Sequence, residues 1–60
     1  MYMLVSEPHS DEACRAFNAL DDAFGTDEFS REDALKVLGE HGFSQQMFMA
    51  LVTAGSIAEV

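Results

Sequence analysis

The chain has 60 residues, 48% of them hydrophobic, and carries 11 acidic side chains against 3 basic ones, for a formal net charge of −8. A domain of this size buries only about 60% of the surface its unfolded chain exposes. That leaves interior for a three-helix core, but not for a core and an enzyme pocket of several hundred Å³, so neither catalysis nor a small-molecule substrate is expected. The charge as a whole repels nucleic acid, and a single Cys excludes an intrachain disulfide.

Met1 to Val5 is a short apolar run, either a strand or an ordered tail, closed by Ser6-Glu7-Pro8. It lacks the basic start and the length of a signal peptide. Pro8 holds Glu7 extended. No apolar run approaches the roughly 20 residues that cross a membrane. The expected location is the cytoplasm, with no membrane contact.

Ser10 is placed to cap a helix over residues 11–24, with Asp11 and Glu12 in its first turn. Ala13, Phe17, Leu20 and Phe24 share its apolar face. Gly25 ends it, and residues 26–29 form a short link, extended around Phe29. Ser30 caps a second helix over 31–40, with Asp33 in the place of the usual capping-box Glu and Phe29 stapled to Ala34. Its apolar face is Ala34, Leu35 and Leu38, flanked by Val37. Gly42 supplies the left-handed residue past its end.

Ser44 caps a third helix over 45–54, and Phe43 before it can meet Phe48. Phe48, Leu51 and Val52 share one face, continued by Gly55. Gln46, Ala50 and Thr53 lie opposite, with Met47 and Met49 on the flanks. Gly55 ends the helix. Residues 56–60, with β-branched Ile57 and Val60, are expected to form a strand.

This order resembles the winged helix-turn-helix family. The likeness is carried by Phe29-Ser30, by the turn from His41 to Ser44, and by the run from Leu51 to Val60. It covers about residues 11–60, as patterns of residue class. The acidity is similar to that of small winged-helix proteins of salt-loving archaea. In about 1 M salt the Debye length is only about 3 Å, which removes most self-repulsion. The resemblance implies one mainly α domain over residues 1–60: a three-helix winged-helix-like unit with one short β-sheet. The chain stops where the first wing strand ends, so the wing is incomplete. The N-terminal run is therefore expected to pair with the C-terminal strand, in the same chain or across a dimer, with Phe29 making a third contact.

The resemblance also places a DNA-reading helix over Ser44 to Ala54, but that segment has no Lys or Arg. Gln45 and Gln46 can reach base edges. Arg31 and Lys36 are the only basic residues nearby, whereas phosphate contacts normally dominate affinity.

A calcium loop counted from Asp21 puts Glu32 twelfth but Ala23 third and Thr26 sixth, so it fails. His9, His41 and Cys14 have no zinc spacing. Cys14 is expected to be an inert thiol beside the core face. No metal, cofactor or catalytic residue is expected. A solvated helix face usually carries charge; that of the third helix does not. The expected function is therefore a non-enzymatic interaction module. It contacts a protein partner, or a second copy, through Gln46, Met47, Met49, Ala50 and Thr53. The alternative is a salt-adapted DNA-binding regulator using Gln45, Gln46, Arg31 and Lys36.

Overall fold

Two serines start helices with their side chains. In a computed structural model describing all residues 1–60, Ser10 Oγ accepts the Ala13 N–H and Ser30 Oγ accepts the Asp33 N–H, each at 3.1 Å. The helices they cap are α1, Asp11–Phe24, and α2, Arg31–Glu40. The third, α3, spans Gln45–Thr53. Here the expected side-chain cap is corrected: Ser44 makes no such bond. The Met47 N–H goes instead to the Ser44 backbone carbonyl at 3.0 Å, so the main chain closes the first turn.

Helices α2 and α3 stop through the same pair of backbone bonds. Phe43 N–H donates to Leu38 C=O at 2.8 Å and Gly42 N–H to Gly39 C=O at 3.1 Å. After α3, Ser56 N–H donates to Leu51 C=O at 2.9 Å and Gly55 N–H to Val52 C=O at 3.1 Å. Gly42 and Gly55 take the left-handed conformation this requires, at φ 83° and 81°. Because Ala54 to Ser56 form that closing turn, α3 ends at Thr53 and the last strand is shorter than expected.

Two strands complete the fold: β1, Tyr2–Leu4, and β2, Ile57–Glu59. They pair antiparallel within one chain, with Tyr2 opposite Glu59, Met3 opposite Ala58 and Leu4 opposite Ile57. On its other side β1 meets Phe29 through an isolated bridge at Tyr2. The N-terminal run thus sits between the link before α2 and the C-terminal strand. The fold is mainly helical, with three helices and one small antiparallel sheet.

The core gathers Leu20, Phe29, Leu38, Phe48, Leu51 and Ile57 with Ala16 and Ala34. The apolar face of α1 is centred differently from the expected one. Ala16, Ala19 and Leu20 are its buried residues, while Ala13, Phe17 and Phe24 are half-buried. Small side chains sit innermost because α1 packs against both other helices, and an Ala allows the closest approach. Phe24 stacks on Phe29 with ring centroids 4.7 Å apart, and Tyr2 meets Phe48 edge-on at 5.1 Å. No helix is long and apolar enough to cross a membrane.

Candidate functional site

The exposed side of α3 is uncharged. Gln46, Met49, Ala50 and Thr53 are all exposed and follow the i, i+3, i+4, i+7 spacing of one helical face. The exposed positions of α1 include Asp11, Glu12, Arg15, Asp21 and Asp22, and those of α2 include Arg31, Glu32, Asp33, Lys36 and Glu40. Helix α3 has no acid in its first turn and no base in its last. Met49 is 49% exposed, a large apolar side chain in the middle of this stripe.

Met47 is placed differently. It is half-buried and packs against the core, so the fold accounts for much of its side chain. Its outer part lines an open cleft of about 380 Å³ between the start of α1 and the α2–α3 turn. Phe43, Met47 and Ala50 supply apolar walls, with Glu12, Gly42, Ser44 and Gln46 around them. The cleft brings together Gln46, Met47 and Ala50 of the expected contact set. Met49 and Thr53 lie outside it, farther along the stripe.

The residues of the alternative set are also accessible. Gln45 and Gln46 are exposed in the first turn of α3, and Arg31 and Lys36 are exposed on α2, which packs against α3. No Lys or Arg stands on α3 itself.

Cys14 is half-buried, and its thiol donates to the Pro8 carbonyl at 3.0 Å. That bond ties the thiol to the segment before α1. His9 and His41 are exposed. No three His, Cys, Asp or Glu side chains converge.

Three features escaped the sequence reasoning. Pro8 is buried, although nothing around it in sequence is apolar. Glu12 reaches the cleft, which needs the α1–α3 packing to be known. The outward N–H and C=O groups of Ile57 and Glu59 take no part in the sheet, and only its register reveals it. Comparison with protein-family models, with curated proteins and with solved structures finds no match.

Proposed function

We propose that this chain is a small, non-enzymatic interaction module of winged-helix-like build, which binds a protein partner or a second copy through the exposed face of α3. The observation that supports this most is the uncharged Gln46-Met49-Ala50-Thr53 stripe on a chain of net charge −8. A free surface in such a chain gains solubility from charge. A contact surface loses by it, because each buried charge must be desolvated. A flexible Met beside small residues adapts to an opposing surface. The winged-helix likeness rests on the helix–turn–helix order, and here β1 provides the strand beside β2 that a returning wing strand would otherwise supply. Light scattering across protein concentration, with partner capture alongside, tests the proposal. Ala50→Glu is expected to leave the fold intact and weaken association. Unchanged mass and unchanged capture contradict it.

A second reading is favoured by the exposure of Gln45 and Gln46 at the start of α3. In it the chain is a salt-adapted cytoplasmic DNA-binding regulator, with Arg31 and Lys36 as its phosphate contacts. The same titrations with duplex DNA separate the two. Nanomolar binding at about 0.15 M salt, tight for so few phosphate contacts, supports the regulator.

A further inference from the structure

The cleft between the start of α1 and the α2–α3 turn is the single concavity of the surface. Gln46 and Ala50 belong both to its wall and to the exposed stripe of α3, so cleft and stripe form one continuous surface. Phe43 and Met47 are half-buried against the core and still line the cleft, which holds its apolar walls in place. Gly42 brings no side chain to it, and a Cβ there would meet nothing within 4 Å. The mouth is therefore open. Small-molecule pockets enclose roughly 70–90% of their ligand. An open cleft of about 380 Å³ instead suits a side chain that projects from another protein.

The charge around the cleft decides what that protein is. Glu12 is exposed and is the one charged residue in the lining. No side-chain hydrogen bond of the fold engages it. Arg15, one turn on along α1, is not among the lining residues. A second copy would approach with its own net charge of −8, and a nucleic acid with its phosphates, so like charge opposes both. A cationic partner is drawn in by the same field and finds an unpaired carboxylate beside the apolar walls.

We propose that the occupant is a basic amphipathic helix of a partner protein. One large apolar side chain of that helix enters the cleft between Phe43, Met47 and Ala50. A Lys or Arg one turn away on it meets the Glu12 carboxylate. The rest of its apolar face lies along the α3 stripe, where small Ala50 and Thr53 let two helix axes come close. A partner strand would need a sheet edge to add to, and this surface is built from helices and a turn. The inference rests on α3 as the contact face and names the chemistry of the partner.

Selection from a displayed library of helical peptides against the full chain, at about 0.15 M salt, tests the proposal. The selected helices should carry a large apolar residue with Lys or Arg three or four positions from it. Glu12→Gln should weaken their binding about fivefold, the most that one exposed ion pair contributes. Glu12→Lys turns the attraction into repulsion and should weaken it about 25-fold. Asp22→Lys is the control. It changes the net charge equally from an exposed position about 15 Å farther along α1, and should cost less than about twofold. If Glu12→Lys does not fold, Glu12→Gln against Asp22→Asn carries the comparison. A library that yields no helical binder, or binders without added Lys or Arg, overturns the inference. Equal losses with the Glu12 and Asp22 variants do so too. Binders that are lost with Ala50→Glu but indifferent to Glu12 overturn it and leave α3 standing as the contact face. Binders indifferent to both contradict that face as well. Self-association that Ala50→Glu abolishes would put a second copy on this surface and likewise overturns the basic partner.

Discussion

Tyr2 and Phe29 exchange two backbone hydrogen bonds, Tyr2 N–H to Phe29 C=O at 2.7 Å and Phe29 N–H to Tyr2 C=O at 2.9 Å. Residues 27 positions apart in sequence are thereby locked side by side. The Tyr2 ring meets Phe48 of α3 edge-on, and Phe29 stacks on Phe24 of α1. The N-terminal strand thus ties the link, α1 and α3 to one another. Tyr2→Ala should lower stability by about 2 kcal/mol, since Tyr2 is only partly buried and full aromatic deletions cost about 3–5 kcal/mol. Tyr2→Phe keeps the ring and should melt close to the parent. Thermal unfolding of both variants checks this; equal losses would mean that the hydroxyl, not the ring, matters.

The two left-handed glycines predict opposite outcomes from the helical one. Gly42→Ala and Gly55→Ala each force a side chain into positive φ, costing about 1 kcal/mol. Space is not the obstacle, because nothing lies within 4 Å of either added Cβ. Gly39 lies inside α2 with equally open surroundings, so Gly39→Ala should stabilise by about 0.5–1 kcal/mol. Melting temperatures should move by about 4–8 °C per kcal/mol in a domain this small, down for Gly42 and Gly55 and up for Gly39.

The three serines before the helices are not equivalent. Ser10→Ala and Ser30→Ala each remove a side-chain cap bond and should cost about 1 kcal/mol. Ser44→Ala removes none and should cost clearly less. Equal destabilisation in denaturant titrations of all three would show that Ser44 caps α3 in solution.

Ala16 and Ala34 are both fully buried. Ala16→Leu adds three carbons where α1 meets its neighbours and should destabilise by about 1–3 kcal/mol. Ala23→Leu, at an exposed position of the same helix, should be nearly neutral. A neutral Ala16→Leu would mean that the interface around Ala16 is loosely packed.

Helix positions were legible because local chemistry marks them. Ser10 and Ser30 cap, Gly25, Gly42 and Gly55 stop, and the apolar spacing between them has the helical period. The pairing of Tyr2–Leu4 with the last strand was legible too, as two apolar extended segments with no other partner. The inner face of α1 was not. Periodicity weights large side chains, so Phe17 and Phe24 outweighed Ala16 and Ala19, yet crossing helices select for small ones. The start of α3 was misjudged because Ser44 looks like Ser10 and Ser30; only the geometry shows a backbone carbonyl taking the N–H that its hydroxyl would have taken.

The α3 stripe was legible as an angular pattern, but the fate of Met47 was not. A helical wheel gives direction and not how far neighbours wrap around. Met47 is half-buried against the core and shares an open cleft with Phe43 and Glu12, while Met49 on the other flank stays exposed.

That α3 presents a protein-binding face is tested most directly by a photo-cross-linking amino acid placed at position 50 in cells of the native host, with the same group at exposed position 23 of α1 as the control. Position 50 should yield a discrete protein adduct that is absent from position 23 and is lost when Met49 and Thr53 are replaced by Glu. No adduct at position 50, the same adducts at both positions, or an adduct to DNA alone would contradict the assignment.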